Sequence, residues 1–247
     1  MVAAPAIVFD GVSLAFAGRR LFQDLSFTIN RGSCTCLLGP SGCGKSTILK
    51  LVSGNTSLVY TGNICCEGKS PPNGSTAWMA QQDLLLPWLS VLDNVMLGAK
   101  LRGQVTTALR EKGGDLLVQA GLGDAVHAFP DTLSGGMRQR VALLRTLMEN
   151  RSVLLMDEPF SALDALTRIR LQNLAARFTS GATVLLVTHD PLEALRMANR
   201  ILVLAGEPVA IAADLSLRGT VPRDADDPEI ATLYPELVNL LMTGATA

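Results

Sequence analysis

Hydrophobic and polar positions change their spacing three times along this chain. Over residues 7–38 they form short apolar runs, Ile7–Phe9, Val12–Phe16, Leu25–Ile29 and Cys34–Leu38, punctuated by Gly18 and Gly32, which read as strands. Gly62–Gly68 reads as one more strand, followed by a Pro71-Pro72-Asn73-Gly74 turn. From Leu84 to Pro130 the spacing becomes helical, with Val91, Val95, Leu97 and Ala99, then Leu116, Leu117, Ala120 and Leu122, on apolar faces. Beyond Leu133 strands and helices alternate. Helices are predicted over Gly136–Glu149, Leu166–Phe178 and Pro191–Ala198, and strands over Val153–Met156, Val184–Val187 and Ile201–Leu204. That rhythm predicts an α/β fold with a mostly parallel sheet and right-handed crossovers. It carries an antiparallel β subdomain at its N-terminal end and an inserted helical subdomain at about 84–133.

The C-terminal stretch, residues 207–247, has a signal of its own. Asp227 is placed to cap a helix with Pro228 at its first position. Ile230, Leu233, Tyr234, Leu237, Val238 and Leu241 share one face, and Pro235 is expected to kink or restart the helix. Packing of that face on its own domain is expected ahead of binding to a partner.

Composition narrows the function classes. Hydrophobic residues make up 48% of the 247, enough for a large core, yet no apolar run approaches the roughly 18 residues of a membrane span. Net charge is −1, so the chain lacks the basic footprint of a nucleic-acid-binding protein. Asp10 and Gly11 break the first apolar stretch and no basic region precedes it, so a signal peptide is not expected and a cytosolic location is. The five cysteines, 34, 36, 43, 65 and 66, match neither a disulfide framework nor a zinc site. Cys34 and Cys36 read as buried strand residues, while Cys43 occupies a helix N-terminus, where thiolates are favoured.

Candidate chemistry begins at Gly39-Pro40-Ser41-Gly42-Cys43-Gly44-Lys45-Ser46-Thr47, which fits the phosphate-binding pattern G-x-x-x-x-G-K-[ST] between a strand and a helix. Its backbone N–H groups suit phosphate oxygens, Lys45 suits the β- and γ-phosphates, and the Ser46 hydroxyl suits Mg²⁺. Alone, the loop fits a kinase, a GTPase or many ATPases. A second element, Val153-Leu-Leu-Met-Asp157-Glu158, ends an apolar strand in two carboxylates. Asp157 is placed to hold Mg²⁺ and Glu158 to polarise an attacking water. The third element, Leu133-Ser134-Gly135-Gly136, stands nineteen residues ahead of that strand and opens a helix. It reads either as an N-cap with a flexible entry or as an anion-binding helix start.

Taken together, residues 7 to about 206 resemble the ATP-binding subunit of ABC transporters. The resemblance implies a P-loop ATPase core that binds ATP and Mg²⁺. It makes Leu133–Gly136 the family's signature, Ser161-Ala-Leu-Asp164 its D-loop, and Val187-Thr-His189-Asp190 the switch strand whose His189 contacts the γ-phosphate. Gln81 matches the glutamine that reaches Mg²⁺ and the attacking water. It is chosen over Gln82 because it lies seven residues before Trp88 in the Leu84-Leu-Leu-Pro-Trp88 run. Phe16 takes the place of the aromatic that stacks on adenine, and Met137 replaces the commoner glutamine after the signature. His127 lies outside these motifs and is expected to be structural.

In that family the signature of one copy closes over the P-loop of another. One P-loop per chain therefore implies a dimer, with a second copy or a paralogous ATPase subunit, around two ATP molecules. With no fused membrane domain, the resemblance also implies two separate transmembrane permease subunits and, indirectly, a periplasmic or extracellular solute-binding protein; the alternative within the family is a non-transport ATPase clamp acting on nucleic acid or another protein. The resemblance puts the chain on the cytoplasmic face of the bacterial inner membrane. Leu84–Trp88 with Asp93-Asn94-Val95, Gly135–Arg140 and Glu158–Asp164 resemble the nitrate/sulfonate/taurine importer subfamily, which includes carriers of thiamine pyrimidine precursors. Leu84–Trp88 is where a permease coupling helix is expected to dock.

Overall fold

The computed structural model describes residues 4–16, 18–54, 57–66 and 76–244. The expected Pro71–Gly74 turn lies outside them, as do the last two residues of the expected Gly62–Gly68 strand. Strands β1 (Ile7–Phe16), β2 (Arg19–Ile29) and β4 (Tyr60–Cys66) form an antiparallel sheet in the order β2-β1-β4. The runs Ile7–Phe9 and Val12–Phe16 are one strand, because the ladder shifts register at Gly11 instead of ending there. Gly11 has φ 61°, and a Cβ at Gly62 on the neighbouring strand would sit 2.3 Å from the Gly11 carbonyl oxygen. Only glycine permits that approach.

The main sheet holds β3 (Cys34–Leu38), β5 (Thr76–Met79), β6 (Val153–Asp157), β7 (Thr183–Thr188), β8 (Arg200–Ala205) and β9 (Ala210–Ser216), in the order β5-β6-β7-β3-β8-β9. All neighbours are parallel except β9, which runs antiparallel to β8. Its central strands are mostly apolar because both faces are covered. Leu37, Leu155, Leu185 and Leu202 pack toward helix α1 (Lys45–Ser53) and the antiparallel sheet. Their alternates Leu38, Met156, Leu186 and Val203 face the other helices. Those are α2 (Val91–Val95), α3 (Leu97–Leu101), α4 (Thr107–Gln119), α5 (Gly135–Met148), α6 (Ala165–Phe178), α7 (Pro191–Met197) and α8 (Pro228–Gly244). Strands β5 and β9 carry no clear sequence signal: one is four residues long, and the other is rich in alanine with neither face fully buried.

Helix α8 runs through Pro235 without a break and lies against α7 and β8 of its own chain. Ile230 and Leu237 are buried, and Leu233 and Leu241 partly so, whereas Tyr234 is exposed. Asn94 on α2 is fully buried, and its amide donates to the Leu86, Leu89 and Ser90 carbonyls while accepting from Leu86 N–H. That one side chain shapes the Leu84–Trp88 loop. His127 is exposed and takes no part in the core. Among the described residues no helix is long and apolar enough to cross a membrane.

Candidate functional site

Strand β3 ends at Leu38 and the chain turns through Gly39–Gly44 into α1. The turn is dictated by backbone geometry: Gly42 and Gly44 have φ of 82° and 93°. A Cβ at Gly39 would meet the Leu204 carbonyl oxygen at 2.7 Å, and one at Gly44 would meet the Phe22 ring at 2.8 Å. Any side chain at those glycines would push the loop open. Helix α1 has no side-chain cap from Gly44, so its first turn can offer N–H groups to an anion. Lys45 is buried and its ammonium folds back onto the loop, donating to the Gly39 and Pro40 carbonyls at 2.7 Å each.

Parallel pairing of β3 with β7, and of β7 with β6, brings the acidic strand end beside this loop. Asp157 is buried at the end of β6 and hydrogen-bonds Ser46; burial pushes its carboxyl above the ordinary range, while Ser46 and Lys45 pull it back. Glu158 follows at φ 48°, a conformation a glutamate rarely adopts. Its N–H donates to the Val187 carbonyl at 2.9 Å, and its carbonyl accepts from Gln139 at 2.9 Å and Ser161 Oγ at 3.1 Å. These contacts hold the strained residue, whose carboxylate faces Gln81 and His189.

Two other predicted residues meet at that carboxylate. His189, just past β7, places Nδ1 2.9 Å from Glu158 Oε1, and Gln81 Nε2 donates to Glu158 Oε2 at 3.4 Å. Of the two adjacent glutamines, Gln81 is the one that reaches Glu158. Gln81 and Glu158 line a cavity of about 290 Å³ with Ser41, Gly42, Gly44, Lys45, Ser46 and Thr47. A larger neighbouring cavity of about 880 Å³ shares the loop and is walled by Phe16, 68% exposed and free to receive a flat ligand.

Ser134, Gly135 and Gly136 do not join these cavities. Ser134 caps α5, its hydroxyl accepting from Met137 N–H at 3.3 Å, and both Ser134 and Gly135 are exposed. Asp164 likewise caps α6, accepting from Thr167 N–H at 3.0 Å, and that bond holds its carboxyl below the ordinary range. Gly135 instead faces a separate groove with Gln81, Gln82, Leu84 and Gln139.

Cys43 corrects an expectation. Burial raises its thiol, and the nearby Lys45 only partly offsets that, so the helix N-terminus does not make it a ready thiolate. Gln139 was missed at the level of sequence. It is buried on α5, donates to the Glu158 carbonyl and to Ser161 Oγ, and accepts from Ala162 N–H at 2.8 Å. The available signal was a polar residue on the buried face of an amphipathic helix.

Known proteins carry the same arrangement. A family model described as ABC transporter matches residues 22–161. The chain is 43% identical to an uncharacterized ABC transporter ATP-binding protein of Haemophilus influenzae, over 93% of this chain and 96% of that one. It is 40% identical to an aliphatic sulfonates import ATP-binding protein of Delftia acidovorans, over 96% and 95%. A similar protein of that name from Rhodococcus jostii is 38% identical over 98% of each. Among solved structures, a dimeric ATP-binding cassette in a post-hydrolysis state with ADP and phosphate superposes with a TM-score of 0.75. That cassette is 28% identical, over 86% of this chain and 99% of its own. Together with the phosphate loop, the paired carboxylates and the sheet order, these likenesses mean that the chain belongs to the ABC transporter family, as one of its ATP-binding, ATP-hydrolysing subunits.

Proposed function

We propose that this ATPase dimerises around two ATP molecules and drives import of a small sulfonate through separate membrane permease subunits. The observation that carries the reading is the split site. Gln81, Glu158 and His189 converge beside the phosphate loop, while Ser134 and Gly135 stand exposed, and half-buried Gly136 with them lies outside the cavities around that loop. A second copy (or a paralogous ATPase subunit) completes each site by laying its signature, Ser134, Gly135 and Gly136, on the nucleotide. The Asp164 turn then lies at the same interface.

In the closed site Phe16 stacks on adenine and the Gly39–Thr47 backbone and Lys45 hold the phosphates. Ser46, Asp157 and Gln81 are the oxygen donors for Mg²⁺. A buried carboxylate already raised by desolvation and bonded to a hydroxyl is a fitting cation site. Held by those residues, Mg²⁺ would neutralise charge on the phosphate oxygens. Glu158 accepts the proton of the attacking water, and Gln81 and His189 orient water and γ-phosphate respectively. Free energy for closure comes from the difference in ATP affinity between open and closed dimers.

Leu84 and Trp88, 59% and 70% exposed, offer an apolar surface beside Gln81 on which a permease helix can dock. That contact ties solute occupancy to the Gln81 side of the site and puts the chain at the cytoplasmic face of the inner membrane. A solute-binding protein outside then delivers the cargo. The relatives named for aliphatic sulfonates support that cargo class over nitrate or a pyrimidine precursor. The test is reconstitution with a permease and a solute-binding protein of a sulfonate importer from the same organism. An alkanesulfonate should stimulate ATP hydrolysis and be taken up; stimulation by another solute, with none by sulfonates, overturns the cargo assignment.

A further inference from the structure

A buried charge far from the phosphates needs a reason. Arg223 lies between β9 and α8 with its side chain 1% exposed. Its Nη1 donates to the carbonyls of Leu195 (2.9 Å) and Ala198 (2.7 Å), and its Nε and Nη2 donate to the Arg218 carbonyl at 3.0 and 2.7 Å. Glu229 on α8 stands 3.3 Å from Nε and also accepts from Arg218 N–H. The backbone is engaged as well. Arg223 N–H donates to the Arg196 carbonyl at 2.9 Å, while Arg196 Nη1 returns a bond to the Arg223 carbonyl at 2.6 Å. Arg196 also reaches Asn173 on α6 at 2.7 Å.

Every one of these acceptors on α7 is at its C-terminal end, where carbonyls lack helical partners and a cation is favoured. Two guanidinium groups are thus buried, with the partly exposed Glu229 carboxylate beside Arg223 and no carboxylate within bonding distance of Arg196, an expensive arrangement unless the position it fixes matters. What it fixes is a strut of seven residues, about 10 Å long at the usual rise per residue. At the other end, Asp190 caps α7 by accepting from Leu192 N–H at 2.9 Å, and His189 directly precedes it. Asp190 also takes a bond from Arg168 at 3.2 Å, so the strut is pinned at both ends. The turn after α7 is held too: Asn199 N–H donates to the Cys34 carbonyl, and Leu217 N–H to the Asn199 carbonyl, both at 2.8 Å.

We infer that Arg223 is a positioning residue for the switch histidine: by clamping the C-terminal end of α7 it sets where His189 sits, so the segment from Leu217 to the end of α8 governs the hydrolytic rate. Such a clamp leaves nucleotide binding alone, because it touches neither the phosphate loop nor Phe16. The inference rests on the reading of His189 given above.

The experiment is a double-mutant cycle on the full chain, measuring kcat and KM for Mg-ATP. Arg223→Ala should lower kcat by about tenfold with KM within about twofold, and Arg223→Lys should recover most of the loss. On a His189→Ala background, Arg223→Ala should cost nothing further. Glu229→Gln, which loosens the clamp without emptying it, should lower kcat by about two- to threefold, and it keeps the test open if Arg223→Ala does not fold. An unchanged kcat in folded Arg223 and Glu229 variants overturns the inference, as do losses that multiply with His189→Ala. If His189→Ala alone leaves kcat intact, the assigned role of the switch fails first, and the clamp with it.

Discussion

The phosphate loop and the signature are both glycine-rich helix starts, yet the chain treats them differently. Around Lys45 the surroundings are complete: sheet pairing delivers Asp157, Glu158 and His189, and Gln81 closes the side. Around Ser134 only the helix itself is satisfied, with a hydroxyl capping α5 and the rest facing outward. The difference lies in topology, since the phosphate loop follows the central strand β3 whereas no strand leads into the signature, which comes between α4 and α5. A polypeptide can preorganise the first kind of site alone. The second kind has meaning only against another surface.

The largest expected effect breaks the completed side. Glu158→Gln keeps the shape and the contact to His189 but removes the base, so hydrolysis should fall by roughly 10²–10³. ATP binding should persist, and size-exclusion chromatography with ATP should show dimers accumulating. Fast turnover by this variant would sink the role given to Glu158.

The comparison itself is tested by mixing. Lys45→Ala damages the loop side and Ser134→Arg the signature side, and each alone should lose activity on the order of 10²-fold. Half of the dimers in an equal mixture are mixed, and each of those has one site built from two undamaged halves. The mixture should therefore regain up to about a quarter of the native rate. If it regains none, the two halves of a site do not come from different chains.

Much of the loop side was legible in the sequence because its chemistry is contiguous. Gly39–Thr47 and Val153–Glu158 each carry their function within a few residues, and the apolar runs predict the buried strands that hold them. What escaped is held by long-range contacts. Strand β5 is a four-residue edge, and β9 is stabilised by pairing with β8 more than by its own composition. Arg223 looks like a surface arginine until α7 and α8 enclose it, and Gln139 like any polar helix residue until the Glu158 turn is placed over it.

Gln139 gives the next prediction. It joins the signature helix to the backbone of Glu158 and to the Ser161-Ala162 turn, so it links the two sides within one chain. Gln139→Ala removes three hydrogen bonds and frees Glu158 from part of what holds its φ of 48°. Turnover should fall by about tenfold with ATP affinity nearly unchanged, on the scale of about 1.4 kcal/mol of lost positioning. Glutamate at the same site keeps one acceptor but no donor, so it should not rescue.

The smallest effect concerns Cys43, which lines the cavity shared with Phe16 while its sulfur lies 3.9 Å from Lys45 Nζ. A helix N-terminus and a neighbouring ammonium favour thiolate, but desolvation is the larger influence and the thiol is raised above its ordinary 9.0. With so small a thiolate fraction at neutral pH, maleimide labelling should be slow and should climb nearly tenfold per pH unit from 7 to 8. Cys34, pushed up to about 12 by desolvation, and fully buried Cys36, raised by the same cause, should lag behind it. Saturating ATP should slow Cys43 labelling severalfold by covering the cavity, with mass spectrometry of tryptic peptides as the readout. Rapid modification that is independent of pH would mean that the helix N-terminus and Lys45 hold the sulfur as thiolate after all, whereas rapid modification with the same pH slope would mean that the loop opens in solution and exposes it. In that case the completed side of the site is assembled by nucleotide and not before it.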